Sequence, residues 1–235
     1  MPPPTFKAQL TAVRDVARDV REFTLAAPQE PLTWQAGQWI SLHLPVGEKP
    51  PLVRAYTLAA PPQANGEMVM CLDRVQGGLG SEYLFSLEPG AEITFGAPLG
   101  RFTLPEEPGD QLWVARFTGI VPFRAMLLQL QDQPPSGRVI LVYGAPQPQD
   151  LAYHAELLRA AEQYPWFNLV VTVGEPDDTW ASHVGPELDL LPELVGDRSD
   201  LLPMACGKRD FAMAVRAFFQ ERGYDRKAIK IESYD

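Results

Sequence analysis

Cysteine is nearly absent from this chain, with Cys71 and Cys206 the only two in 235 residues. One disulfide is arithmetically open, but a disulfide framework is excluded. Two thiols also cannot supply the four protein ligands of an iron–sulfur cluster. With 3 histidines and no CxxC or His/Cys cluster, zinc has no ligand set either. An electron carrier in such a protein has to be organic and bound. Long apolar runs are missing too, since nothing approaches the ~20 residues that span a bilayer. Met1-Pro2-Pro3-Pro4 is not a basic leader and no apolar stretch follows it, so the expectation is a cytoplasmic protein. Positive charge is scarce: 20 Lys+Arg stand against 30 Asp+Glu, a formal net charge of −10. Phosphate backbones call for Lys/Arg clusters, which argues against nucleic acid as a partner.

The deficit is uneven, −2 over residues 1–102 and −8 over the remainder. An acidic second half would not steer an acidic protein partner toward itself. What is present is a globular composition, 46% hydrophobic and 21% charged. The length suits two domains of about 100 to 150 residues each. The first hundred residues alternate with period two over Phe6–Val13, Val20–Leu25, Trp39–Leu44, Val53–Leu58, Met68–Leu72 and Ala91–Phe95. Turn residues such as Pro61-Pro62, Asn65-Gly66 and Pro89-Gly90 punctuate these runs. That pattern predicts an antiparallel barrel or sandwich, with one helix over Ser81–Leu87 capped by Ser81.

Beyond Thr103 the pattern changes. Apolar strands are expected at Leu112–Ala115, Val139–Tyr143, Phe167–Val173, Leu201–Cys206 and Ala228–Ile231. Helices are expected near Pro122–Leu130, Asp150–Gln163 and Phe211–Arg222. Such alternation indicates a doubly wound α/β parallel sheet covered on both faces. The segment Leu104–Gly109 reads as the hinge, so the domains are expected at 1–103 and 110–235.

The chemistry begins at Arg54-Ala55-Tyr56-Thr57. On a strand, Arg54 and Tyr56 share one face. An Arg beside an aromatic ring can pair with a diphosphate while the ring stacks on a planar heterocycle. The same residues are also consistent with an exposed strand face carrying a cation–π pair. Some twenty residues on comes Arg74-Val75-Gln76-Gly77-Gly78-Leu79-Gly80-Ser81, a glycine-rich turn into a helix, which exposes backbone N–H groups suited to phosphate.

In this order the segments resemble the flavin domain of the ferredoxin–NADP reductase family, with its R-x-Y-[ST] strand and G-x-x-[ST] helix start. Phe95–Phe102 is similar to the family's G-P-x-G-x-F segment that ends the barrel. Ala115-Arg116-Phe117-Thr118-Gly119-Ile120-Val121-Pro122-Phe123 resembles the A-x-G-T-G-I-A-P-F turn opening the nucleotide domain. Val142-Tyr143-Gly144, Ala205-Cys206-Gly207 and Glu232-Ser233-Tyr234 continue the likeness to the end of the chain.

The resemblance implies an antiparallel Greek-key β-barrel binding FAD, followed by an NAD(P)-binding α/β domain. It implies that Tyr56 packs on the isoalloxazine, Arg54 neutralises the diphosphate and Thr57 bonds near the reactive nitrogen. Arg74, Gly78, Leu79, Gly80 and Ser81 belong to the same cofactor-binding set, the glycines and Ser81 along the phosphates. Thr118 and Gly119 meet the NAD(P)H co-substrate, with Cys206, Glu232 and Tyr234 nearby; Thr57, Cys206 and Glu232 are the residues implied at the reacting centre. The implied activity moves electrons between NAD(P)H and a separate acceptor such as a ferredoxin or flavodoxin.

Three departures fall on the nucleotide side. Phe117 stands where the turn carries glycine, either filling a pocket left by a neighbouring change or reshaping the dinucleotide site. Glu175 follows the third strand, where it repels a 2′-phosphate and favours NADH. Lys208-Arg209 replaces the expected proline, either as a solvated helix start or as a substitute for lost phosphate contacts. An alternative function follows: a flavin-binding protein with a degenerate nucleotide site, acting as redox sensor or partner-binding module. His43 is expected on a strand face, His154 on a solvated helix face, His183 in a loop near Trp180, and Trp34 and Trp39 in the barrel core.

Overall fold

The computed structural model describes residues 4–106 and 109–234. Glu107 and Pro108, in the middle of the expected hinge, lie outside the described residues. The chain forms two compact units: the first runs to Leu104 and takes in residues 124–129, and the second is the rest from Pro105.

The first unit is all-antiparallel. Its strands are β1 (Thr5–Ala17), β2 (Val20–Leu25), β3 (Trp39–Leu44), β4 (Leu52–Thr57), β5 (Met68–Asp73) and β6 (Glu92–Gly96), in spatial order β4-β3-β6-β1-β2-β5. A bridge between Leu58, just past β4, and Met70 of β5 brings the two outermost strands together and closes the sheet on itself at that end. The closure follows from the two-residue period. In β3, Ile40, Leu42 and Leu44 are buried while Trp39, Ser41 and His43 face the other side. The inward residues meet Leu10, Phe23, Leu25 and Phe95 in a single core, each worth about 1.5–3 kcal/mol relative to exposure. Trp34 is buried in this core and donates its indole N–H to the Ala60 carbonyl at 2.9 Å, whereas Trp39 is only half-buried. β4 breaks the alternation: Val53, Arg54 and Ala55 are all exposed and only Thr57 is buried.

Helix α1 spans Leu79–Phe85 with Gly78 at its N-cap, two residues earlier than the sequence suggested. Ser81 is not the cap. Its hydroxyl lies inside the first turn, accepting from the Val75 N–H at 3.0 Å and facing the Val75 and Gly78 carbonyls at 3.2 Å. It thereby closes the glycine turn from within.

The second unit is a six-stranded parallel sheet of β7 (Gln111–Arg116), β8 (Val139–Ala145), β9 (Phe167–Val173), β10 (His183–Val184), β11 (Leu202–Lys208) and β12 (Lys230–Tyr234). The order is β10-β9-β8-β7-β11-β12. The helices after β7 are α2 (Ile120–Asp132), whose residues 124–129 group with the first unit, and α3 (His154–Gln163), α4 (Leu191–Val195) and α5 (Arg209–Glu221) of the second. Residues Leu112, Trp113, Val114 and Ala115 of β7 are fully buried, as a strand covered on both faces requires. The order reverses at β7, with later strands added first on one side and then on the other. That reversal opens a crevice at the carboxyl ends of β7 and β11, the place where open α/β sheets bind ligands.

The helix expected from Asp150 starts only at His154. Residues Pro148–Asp150 form a 3-10 turn, and Tyr153 adopts φ +61°, which interrupts the helix between them. His154 is half-buried rather than solvated and packs against Trp180, ring centroids 6.0 Å apart. Burial pushes its pKa down. The short β10 and α4 have no counterpart in the sequence reading.

Candidate functional site

In the first unit the site is built on β4 and the glycine turn. Arg54 is exposed, and the one hydrogen bond of its side chain among the described residues runs from Nη1 to the neighbouring Val53 carbonyl at 2.9 Å. The cation therefore keeps most of its donors available. Tyr56, two residues on and on the same face, is half-buried, and burial is the main reason its hydroxyl is pushed up to about 12. Arg54 works against that rise and Asp73 with it.

The start of α1 lies directly on these two side chains. A Cβ on Gly80 would sit 3.4 Å from the Tyr56 hydroxyl and 3.5 Å from Cγ of Arg54. The tightest neighbour of that Cβ would be Cδ1 of Leu44, at 3.2 Å. Three large apolar side chains, Val53, Val75 and Leu79, remain exposed around the arrangement. A cation with free donors, a half-buried phenol ring, an open glycine turn and an uncovered apolar rim fit a flat heterocycle carrying a diphosphate.

Thr57 is buried at the end of β4, opposite Trp39 in the ladder. Arg74 pairs with Glu82 at 2.7 Å and lies over the Phe85 ring. Ser81 is engaged in the turn itself.

In the second unit, β7 ends at Arg116 and the chain enters a 3-10 turn, Phe117–Gly119, that leads into α2. Phe117 takes φ +52°, the left-handed conformation that glycine adopts at no steric cost. The turn thus keeps a glycine-like backbone without the glycine. Gly119 presses on the carboxyl end of β11, where any Cβ would collide with the Cys206 carbonyl.

Cys206 is fully buried, and its Sγ lies 3.1 Å from the Tyr234 hydroxyl, which donates in turn to the Thr118 carbonyl at 3.3 Å. Burial pushes the Cys206 thiol up, and the Glu232 carboxylate, its ladder partner on β12, pushes the same way. The thiol is therefore neutral at physiological pH. Thr118, Gly119, Cys206, Glu232 and Tyr234, spread over 117 positions of the sequence, are brought together at this crevice.

Sequence reasoning missed two residues here. Arg116 forms a two-pronged ion pair with Glu187, through Nε to both carboxylate oxygens at 3.0 Å and through Nη2 to Oε2. Glu187 is almost completely buried, while Arg116 is 38% exposed and lies over the Phe211 ring. An arginine inside the A-x-G-T-G-like turn was the one signal available.

Both functional halves have counterparts among known proteins. Residues 7–104 match the model of the oxidoreductase FAD-binding domain, and residues 114–217 match that of the oxidoreductase NAD-binding domain. The chain is 34% identical over 242 residues to ferredoxin–NADP reductase B of Sorangium cellulosum, covering 98% of each protein. It is 28% identical to the glycine betaine monooxygenase reductase subunit of Pseudomonas aeruginosa, covering 92% of this chain but 60% of that longer protein. The crystal structure of the Amycolatopsis cytochrome P450 reductase GcoB superposes with a TM-score of 0.86 at 25% identity, over 98% of this chain and 69% of that one. The chain belongs to the ferredoxin–NADP reductase family, and is a flavoprotein oxidoreductase that uses FAD and NAD(P)H and passes electrons between the nucleotide and a separate acceptor.

Proposed function

We propose that the chain draws electrons from NADH and delivers them to a small electron-transfer protein such as a ferredoxin or flavodoxin. The observation that carries this reading is the intact turn at Phe117–Gly119, seated against β11 in a glycine-like conformation. When bound, FAD accepts a hydride and releases electrons to an acceptor. The protein's part is to hold, orient and exclude water.

Arg54 neutralises the flavin diphosphate, Tyr56 stacks on the ring system and Thr57 offers its hydroxyl at the strand end. Gly78, Leu79 and Gly80 present backbone to the cofactor, and Ser81 acts through them by fixing the turn. Thr118 and Gly119 seat the nucleotide, with the Cys206 thiol, Glu232 and Tyr234 forming the wall of β11 and β12. We assign FAD binding to residues 1–103 and nucleotide binding to 110–235, and place the protein in the cytoplasm, where its two cysteines, neither in a disulfide, stay reduced.

Glu175 sets the preference for NADH. It follows β9 and accepts a hydrogen bond from the Gln147 side chain at 2.8 Å. A carboxylate there can accept from ribose hydroxyls and repels a 2′-phosphate. Anaerobic mixing with NADH and with NADPH, following the long-wavelength flavin band, is the test. Faster bleaching with NADH is expected; no bleaching with either nucleotide sinks the proposal.

A second reading rests on the Phe117 ring, which stands half-exposed where the family has glycine. In that reading the nucleotide site is degenerate and the chain serves as a redox sensor or partner-binding module. It requires Phe117→Gly to restore nucleotide-driven reduction from a negligible starting rate.

A further inference from the structure

We propose that Arg116 is a ligand for the pyrophosphate of the bound nucleotide, held in place for that role by Glu187 and Phe211; this rests on the reading that the crevice takes a nicotinamide nucleotide. Arg116 is the last residue of β7, at the point where the strand order reverses. Its stem passes over β11, since a Cβ on Gly207 would lie 3.3 Å from the Cβ of Arg116. The guanidinium carbon sits 4.3 Å from the centre of the Phe211 ring, at the start of α5. Arg116 therefore crosses the crevice rather than leaving it for bulk solvent.

The guanidinium is divided in its loyalties. Nε and Nη2 serve the Glu187 carboxylate, whereas Nη1 has no acceptor among the described residues. Glu187 has a side-chain exposure of 3% and cannot be released without leaving a buried, uncompensated charge. The pair consequently stays together, one edge of the cation sealed and the other presented outward with its plane fixed by the ring. A fork of that kind matches phosphate oxygens, and little side-chain freedom remains to be lost on binding.

The neighbouring residue supplies the reason for a new ligand. Phe117 preserves the glycine backbone conformation but adds a Cβ and a ring, which narrows direct approach of a diphosphate to the turn. A charged side chain one position earlier reaches out to the anion instead. Lys208 and Arg209, exposed at the start of α5 and without a carboxylate partner among the described residues, add to the local positive field.

The test uses the FAD-loaded enzyme and ADP-ribose, which carries the pyrophosphate but no nicotinamide, with adenosine as control, by titration calorimetry. Arg116→Lys keeps a cation for Glu187 but loses the outward arm. The double variant Arg116→Met, Glu187→Met removes the pair without stranding a buried charge. ADP-ribose affinity is expected to fall about tenfold in the first and further in the second, with adenosine binding, flavin content and melting temperature retained. Unchanged ADP-ribose affinity in the folded double variant overturns the proposal. So does tighter binding, which would make the pair a latch over the crevice, and so does a wild-type enzyme that takes up no ADP-ribose. Arg116-dependent ADP-ribose binding without bleaching by either nucleotide would overturn the proposed NADH oxidation and leave this assignment standing.

Discussion

The carboxylate of Glu187 occupies the space that the missing side chain of Gly144 leaves at the end of β8. The two residues lie on different elements, and a side chain at 144 would meet the carboxylate of 187. Gly144 belongs to the Val142-Tyr143-Gly144 segment that resembles the family's second strand, and in this chain the glycine makes room for the buried partner of Arg116.

Gly144→Ala is accordingly expected to destabilise the second unit by about 1–3 kcal/mol, because the added methyl meets a carboxylate pinned by an ion pair. In a background of Glu187→Ala with Arg116→Met, the same substitution should cost roughly half as much or less, since contacting residues do not add. Urea unfolding of the four proteins gives the cycle; equal costs in both backgrounds would count against the contact.

Phe117 holds a left-handed backbone at φ +52°. An L-residue there costs about 1–2 kcal/mol that glycine avoids. Phe117→Ala loses the ring and keeps the strain, whereas Phe117→Gly loses the ring and relieves it. The glycine variant should therefore be the more stable of the two by about 1 kcal/mol, against the usual order in which glycine is the weaker residue. Denaturant midpoints for the pair decide it.

The proposed flavin seat rests on a charge and a ring, Arg54 and Tyr56, on one strand face. Arg54→Ala and Tyr56→Ala should each lower flavin occupancy of the purified protein, and the double variant should be isolated largely colourless. Gly80→Val should do the same with both residues present, because it drives a branched side chain into the Tyr56 hydroxyl and the Arg54 stem. The ratio of flavin to protein absorbance reads all four. Full occupancy in the double variant would remove these residues from the site.

Alkaline pH offers a separate check. The Cys206 thiol is held above its ordinary value, mainly by burial and secondarily by Glu232. An acid whose pKa is raised on folding gives up its proton first in the unfolded chain. Stability is then complete below the unfolded value, about 8.5 for a thiol, and falls as pH rises past it. Tyr56 adds a second loss in the same direction between its ordinary 10.0 and about 12. Urea unfolding at pH 7 and pH 9.5 should show a decline that is smaller in Cys206→Ala, and slow alkylation of the native thiol should accompany it.

Much of this was legible from residue order alone. The bounds of β2, β3 and β9 coincide with the runs Val20–Leu25, Trp39–Leu44 and Phe167–Val173, because each is a short run rich in apolar and β-branched residues, strictly alternating in β3. The substitution at Phe117 pointed to a backbone that needs glycine, and the positive φ is there. Other features left no local trace. Arg116 and Glu187 are 71 positions apart, and no periodicity connects them. Ser81 has the composition of a helix cap, yet it lies inside the helix because Gly78 adopts the extended conformation that begins it. The left-handed Tyr153 that delays α3 is likewise set by packing, since Tyr has no intrinsic preference for that region.

The bridge between Leu58 and Met70 is the seam at which the barrel shuts, and Tyr56 and Thr57 are the last residues of β4 before it. The proposed cofactor seat therefore lies at the join of the sheet rather than in its middle. Loosening of that join would release the flavin while most of the core was still packed, so bleaching of bound colour on warming reports the opening of one seam and precedes the melting of the barrel as a whole.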